Sequence, residues 1–384
     1  KVNKNLLPAE CTKTTTRAYD PMPYMKRALE LSRQALGLSS PNPPVGAVIV
    51  KDGQIVGEGH TREYGQAHAE RIALDQAGEL ATGGDLYTTL EPCCHYGNTP
   101  PCTEGIIKAG ISQVHVATID PNPLMNGNGI KELEMAGIQI FTQECSQEAS
   151  EVAEGYLKLV RTGKPFVTAK FAMSLDGKIA STSGDSKWIS SEDSRTISMS
   201  LRQQTDAIIV GVGTILQDNP NLTVRNSSGE PQYRQPVRVV VDTSHRTPDD
   251  ALIYKTPGSV IVVTSITDNM DLSNNTTKTN PDLEILVCRS KEGSVDLISL
   301  LEILCERGIT NVLVEGGGTL LGSFFDLGLI DKVVAFISPL LIGGTQSISP
   351  IEGQGSRTIG DAVRLEHSRS VIVGDDVMMT GYVR

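Results

Sequence analysis

The stretch TLEPCCHYGNTPPC, residues 89–102, gathers three cysteines and a histidine into fourteen positions. Thiolate sulfur and imidazole nitrogen are donors that hold zinc. Upstream, in GQAHAERIAL, His68 and Glu70 stand two residues apart where a helix is expected to begin. A structural zinc site is closed by four protein ligands, whereas a catalytic one takes three and keeps a place for water. His68, Cys93 and Cys102 form such an open set. Adjacent residues point in different directions, so Cys93 and Cys94 do not readily share one ion. Cys93 is preferred because it follows Pro92, at a loop or helix start whose free N–H groups favour thiolate. Zinc lowers the pKa of bound water from about 15.7 to roughly 7. Glu70, beside a ligand but not itself one, then suits the proton transfers. The competing reading is a closed site of His68, Cys93, Cys102 and either Cys94 or His95, with Glu70 a surface residue. No Cys-x-x-Cys pair elsewhere supports it.

H-x-E followed by P-C-x-x-C marks zinc-dependent base deaminases. Here Pro92-Cys93 is followed by eight residues before Cys102, a wider gap that a loop can span. His95 is expected to line the pocket. A second stretch, NVLVEGGGTLLGSFFDLG, is an apolar strand, three glycines and a helix. Such a turn lets backbone N–H groups approach a phosphate at the helix N-terminus. The chain lacks G-x-G-x-x-G after a strand and lacks G-x-x-x-x-G-K-[ST], which argues against a Rossmann domain and a P-loop.

These residues need elements to position them. Residues 21–37 place Met25, Ala28, Leu29, Ser32, Ala35 and Leu36 on one helical face. VGAVIV and IVGEGH read as strands joined at Asp52-Gly53, a hairpin signal. Helix HAERIALDQAGEL, strand DLYTTL, a helix near 101–109, strand QVHVAT, a short helix and strand IQIFT follow. One helix, SQEASEVAEGYLKLVRTG, is expected to stop at Gly163 before Pro165. Beyond it come strands FVTAKFAMS, DAIIVGV, VRVVVD, SVIVVTS, LEILVC, NVLVEG and KVVAFISPLLI, with helices at 191–205, 295–307 and 319–327. SVIVGDDVMMTGYV reads as a closing strand pair. NSSGEPQYRQP and TDNMDLSNNTTKTNP read as surface loops. Alternating strands and helices imply an α/β sheet with helices on its faces. The boundaries expected are a tail over 1–19, one domain over 20–163 and another over 164–384.

Composition narrows the function further. With 39% hydrophobic and 21% charged residues the chain reads as globular. Its net charge is −11 and it has no basic run, so no nucleic-acid partner is expected. No apolar stretch is long enough to span a bilayer, so no membrane partner is expected either. The N-terminal residues carry no signal-peptide core and read as trimmed or tagged. Seven cysteines, an odd number in a long chain, favour a reducing cytoplasm over a disulfide framework.

PNPPVGAVIVKDGQIVGEGH, HAE, TLEPCCHYGNTPPC, DPNP, SLDGKIA and VEGGGTLLGSFF together resemble the bifunctional riboflavin-biosynthesis deaminase/reductase family, in order over residues 20–384. The resemblance implies a cytidine-deaminase-like three-layer αβα domain followed by a dihydrofolate-reductase-like α/β domain. It implies one Zn2+ per chain, NADPH, and a phosphorylated pyrimidine substrate. Cys94 stands where the family usually has Ser, and Asn98 where some members carry a basic residue. By resemblance Asn42 and His60 belong to the pyrimidine pocket. Their plainer readings are a turn residue between two prolines and an exposed strand end. Lys170, Asp218 and Glu315 match positions near the reductase substrate, Lys170 and Asp218 as catalytic groups. Lys170 could instead be a solvated strand-edge lysine and Asp218 a turn initiator. Ser186, Arg202, Leu222, Arg225 and Glu315 resemble substrate contacts. Ala172, Trp188, Thr214, Asp218, Thr243, Gly317, Gly318, Thr319, Leu320, Leu321, Gly322 and Ser323 resemble cofactor contacts. Arg246 in DTSHR is expected near a 2′-phosphate. The expected assembly is a homo-oligomer, a dimer or tetramer. The alternative function is a nucleic-acid or nucleoside base deaminase whose second half binds a ligand but is inactive.

Overall fold

The computed structural model describes residues 22–226, 228–265, 282–291 and 293–383. The expected tail over 1–19 and the loop TDNMDLSNNTTKTNP lie outside the described residues.

The first half is one sheet between two helical layers. Its elements are α1 (Met22–Gln34), β1 (Gly46–Lys51), β2 (Gln54–His60), α2 (Ala69–Ala77), β3 (Asp85–Thr88), α3 (Cys102–Ala109), β4 (Gln113–Val116), α4 (Asn128–Met135), β5 (Gln139–Thr142), α5 (Ser146–Val152) and α6 (Glu154–Thr162). The strand order is β2-β1-β3-β4-β5. β1 and β2 form an antiparallel hairpin closed at Asp52 and Gly53, both at positive φ as a two-residue turn requires. β3, β4 and β5 run parallel. Strand residues alternate between two cores. Ala47, Ile49, Leu86, Val114 and Val116 meet α2 and α3, while Val48, Val50 and Tyr87 meet α1.

The single helix expected over 146–163 is two. α5 ends at Val152, and Ala153, at φ −89° and ψ 11°, leads into α6. The break has a packing cause. Ala149 and Val152 belong to the core under α1, whereas Ala153, Tyr156 and Leu157 belong to the core on the opposite face. A straight helix cannot serve both. α6 ends as read, at Gly163 in the left-handed region.

The second half contains β6 (Phe166–Ser174), α7 (Glu192–Gln203), β7 (Ala207–Gly211), α8 (Val212–Asp218), β8 (Val237–Val241), β9 (Val260–Thr264), β10 (Leu283–Val287), the short pair β11 (Ser290–Lys291) and β12 (Ser294–Val295), α9 (Leu297–Glu306), β13 (Asn311–Glu315), α10 (Gly318–Asp326), β14 (Lys332–Ser338), β15 (Leu365–Val373) and β16 (Asp376–Val383). Nine strands are ordered β10-β9-β8-β7-β13-β6-β14-β16-β15. Neighbours from β10 to β14 are parallel, and β16 and β15 close the sheet antiparallel. Two expected strands are shorter than read. DAIIVGV stops at Gly211, and Val212 and Ile215, both buried and three apart, start α8. KVVAFISPLLI ends at Ser338, after which Leu340 and Leu341 are exposed.

Helix α6 also joins the halves. Lys158 pairs with Asp331. The Glu154 carboxylate accepts from Lys332 Nζ at 2.9 Å and from the Tyr382 hydroxyl at 2.8 Å.

Candidate active sites

His68 is the N-cap residue of α2, and Glu70 is the helix's second residue. Cys102 is the first residue of α3, reached from Cys93 through the loop 94–101. Two helix starts thus converge. The ligand atoms of His68, Cys93 and Cys102 all lie within 4.8 Å of one another, the one such cluster of three among the described residues. His68 Nδ1 is 3.5 Å from each sulfur. A tetrahedral zinc with nitrogen at about 2.0 Å and sulfur at about 2.3 Å separates such donors by roughly 3.5 Å, so the residues fit the ion. The other imidazole nitrogen, Nε2, is 3.4 Å from the Thr99 hydroxyl, the kind of outer partner that fixes a ligand's ring. The Cys102 N–H donates to Cys93 Sγ at 3.3 Å. Hydrogen bonds from Cys102 and His68 hold the Cys93 thiol well below its ordinary value, and the same contact with burial pushes Cys102 up. Cys94 turns away, its sulfur 3.8 Å from Met125 Sδ and 3.9 Å from the Leu124 carbonyl.

A cavity of about 200 Å³ opens on this cluster. It is lined by three buried carboxylates, of which Glu91 and Glu70 have contrasting surroundings. Glu91 accepts the N–H groups of Asp120, Gly127, Gly129 and Ile130 at 2.9–3.4 Å. Those bonds pin the 120–130 loop beside Pro92-Cys93 and occupy both oxygens. Glu70 has one side-chain neighbour within hydrogen-bond range, Cys102 Sγ at 3.5 Å. Burial, then the Cys93 charge, pushes its carboxyl up to about 7. Asn42, His95 and Asn98 line the cavity. His60 does not; its ring is 3.2 Å from Arg62 Nη1. Asp120, the first residue of the DPNP motif, accepts the Tyr156 hydroxyl at 2.8 Å and also lines the cavity, a role the motif alone did not reveal.

The second half carries a cleft of about 1360 Å³ at the carboxyl ends of β6, β7, β8 and β13, where open parallel sheets bind ligands. Lys170 and Glu315 are register partners on the central strands β6 and β13, so Lys170 is not at a sheet edge. Arg202 on α7 donates to Glu315 at 2.7 and 2.8 Å. Burial alone would raise the Glu315 carboxyl, but Arg202 and then Lys170 bring it down to about 2. Desolvation pulls the Lys170 ammonium down against the pull of Glu315. The Ser186 hydroxyl donates to Asp218 at 2.7 Å. Leu222, buried, has φ +54°, a rare conformation for a side chain of its size. Arg225 makes no ion pair among the described residues, whereas the Arg202 fork faces Glu315.

Ala172, Trp188, Thr214, Thr243, Gly317, Gly318, Thr319, Leu320 and Ser323 line the same cleft, as does Arg246. Leu321 and Gly322 do not. Leu321 is fully buried in the core under α10, and a Cβ on Gly322 would meet the Glu352 backbone at 2.4 Å. Gly316 and Gly317, at φ +71° and +75°, carry the chain over the floor of the cleft into α10. That bare turn and helix start leave room for a phosphate. The volume exceeds that of ordinary small-ligand sites, about 300–1,000 Å³.

The family model for the cytidine and deoxycytidylate deaminase zinc-binding region matches residues 20–118, and that for the RibD C-terminal domain matches residues 165–379. The riboflavin biosynthesis protein RibD of Bacillus amyloliquefaciens is 43% identical over 93% of this chain and 95% of its own. The chain belongs to the RibD family. The Escherichia coli RibD is 37% identical over 93% of this chain and 97% of its own. The structure of Acinetobacter baumannii RibD superposes with a TM-score of 0.82 at 35% identity, covering 94% of this chain and 98% of that one. A deaminase/reductase from Thermotoga maritima gives 0.82 at 34% identity, with the same coverage. The chain is thus a bifunctional enzyme of riboflavin biosynthesis, a zinc deaminase joined to an NADPH-dependent reductase. No helix among the described residues is long and apolar enough to cross a membrane.

Proposed function

We propose that the chain hydrolyses the 2-amino group of 2,5-diamino-6-ribosylamino-4(3H)-pyrimidinone 5′-phosphate and then reduces the ribosyl group to ribityl. The product is 5-amino-6-ribitylamino-2,4-pyrimidinedione 5′-phosphate. The observation that carries this reading is the pair of separate cavities. One joins the His68–Cys93–Cys102 cluster to Glu70, and the other joins Lys170 and Glu315 to an open glycine turn.

His68, Cys93 and Cys102 hold the zinc, which when bound supplies a Lewis acid that makes water acidic near neutral pH. Glu70 moves the proton. Burial favours the protonated form of its carboxyl, which suits a group that takes a proton and returns it to the departing ammonia. Glu91, saturated by backbone amides, positions the loop instead. In the cleft NADPH supplies the hydride. Lys170 donates toward the sugar oxygen, Glu315 holds Arg202 in place and sets its charge against Lys170, and Asp218, bonded to Ser186, lines the same cleft. The free Arg225 suits the substrate phosphate better than Arg202, whose Nε and Nη2 are committed. A base deaminase with an inactive second half has no support from these side chains.

We further assign the domains to residues 20–163 and 164–384, and place a homo-oligomer, a dimer or tetramer, in the cytoplasm. The outer strand β15 exposes Val371 and Ile372, which supports self-association. All six cysteines among the described residues are free, which supports a reducing compartment. The deciding assay supplies the diamino substrate with and without NADPH. Ammonia release in both cases, with NADPH oxidation following only in the second, is expected. NADPH oxidation without ammonia release would reject the order of steps.

A further inference from the structure

We propose that Arg195 is a positioning residue of the reductase half, holding the indole of Trp188 so that its free face meets a planar ring of the cofactor. The inference rests on the reading of Trp188 as a cofactor contact. Trp188 is the chain's single tryptophan, lines the cleft, and is 73% exposed. An indole so exposed is not held by core packing. The Arg195 guanidinium lies 4.6 Å from its ring centroid, a cation–π distance.

The surroundings leave Arg195 as the part that sets the ring. The backbone of the Trp188 loop is anchored on both sides. Ser186 donates to Asp218 at 2.7 Å, the Ser338 hydroxyl donates to the Ile189 carbonyl at 2.6 Å, and the Ser191 N–H donates to Asp376 at 2.7 Å. Arg195 is itself fixed, since Nη1 donates to the Ser190 carbonyl at 2.5 Å from the first turns of α7. With the backbone pinned, the freedom left is that of the indole about its side-chain bonds. A flat guanidinium on one face removes it and keeps the other face for stacking. Lysine has the charge but not the plane.

The single tryptophan makes the test direct. Trp188 emission overlaps absorption by reduced nicotinamide, so NADPH binding is read as energy transfer from one known position. NADPH is titrated onto the zinc-loaded full chain as wild type, Arg195→Ala, Arg195→Lys, Trp188→Leu and the double variant, the last two read by NADPH's own emission. Unchanged ammonia release and far-ultraviolet dichroism report that each variant folds. Arg195→Ala is expected to raise the Kd roughly 3- to 10-fold, the scale of a partly desolvated cation–π contact. It should also lower Trp188 anisotropy, with Arg195→Lys recovering part of both. The double variant should bind like Trp188→Leu alone. If the two effects multiply instead, Arg195 acts on the ligand directly and the positioning role is wrong. If Trp188→Leu weakens binding while Arg195→Ala changes neither Kd nor anisotropy, Arg195 drops out and Trp188 stays a cofactor contact. If Trp188→Leu binds NADPH normally, both the contact and its positioning fail.

Discussion

At the scale of single residues, the first half turns on which neighbour binds and which acts. Cys93 and Cys94 are adjacent, yet their sulfurs lie in different places, one among the ligand donors and one against Met125. Cys93→Ala is expected to lose stoichiometric zinc and Cys94→Ala to keep it, as measured by metal analysis after dialysis. The opposite pattern would move the ligand assignment to Cys94. Glu70→Gln should keep zinc, because the carboxylate is not among the clustered donors. It should lose ammonia release by at least ~10²-fold, the scale of a removed acid–base group. A variant that deaminates near the wild-type rate would leave the proton transfers without a carrier. These residues were legible because their signals are local: His68 and Glu70 share one turn, and Cys93 follows Pro92. Glu91 was missed although it lies in the same motif. Its meaning is in four amides from residues 120–130, which no spacing within TLEPC reveals.

At the scale of elements, the unread feature is the pair that joins β13 to α7. Glu315 and Arg202 are 113 residues apart, so the sequence presented an arginine available to a phosphate where the fold presents one committed to a carboxylate. The pair has a pH signature. The Glu315 carboxyl goes from an ordinary 4.5 to about 2 on folding. A lowered folded value stabilises the fold above pH 4.5, and that contribution is lost as pH falls toward 2. Glu315→Gln leaves Arg202 unpaired and is expected to cost about 3–5 kcal/mol at pH 7. The gap from wild type should narrow below pH 4.5, as urea unfolding followed by Trp188 emission would show. A gap of the same size at pH 7 and pH 3 would mean that the carboxylate's charge is not what stabilises this contact. Boundaries were the other weak point of the sequence reading. Val212 continues an apolar run and looked like strand, but its partner is Ile215 on the next helical turn. Ala153 has no breaker beside it, and only the demand for burial on two faces of the sheet explains the turn there.

At the scale of the whole molecule, the question is whether two complete sites on one chain work independently. Each cavity is lined by its own half, and the motifs that mark each half follow one another without interleaving. Against this stands α6, whose Tyr156 reaches Asp120 at the deaminase cavity while Glu154 and Lys158 hold Lys332 and Asp331 at the start of β14. β14 pairs with β6, the strand that carries Lys170. The contact is therefore continuous, built of a hydrogen bond, ion pairs and a strand ladder. Coupling needs an element with two states that both sites bias. Independence is the expected result. Glu70→Gln should oxidise NADPH normally when given the already deaminated ribosyl compound. Lys170→Ala should release ammonia at the wild-type rate while its NADPH oxidation falls by at least ~10²-fold, the range for a lost proton donor. Lys170 is the sharper probe, since a solvated lysine could be removed at little cost, whereas this one is register-paired with Glu315 on a central strand. A folded Lys170→Ala enzyme that reduces normally would leave Asp218 as the remaining candidate for the sugar chemistry. One that also deaminates slowly would mean that the path through β6, β14 and α6 carries more than mechanical support.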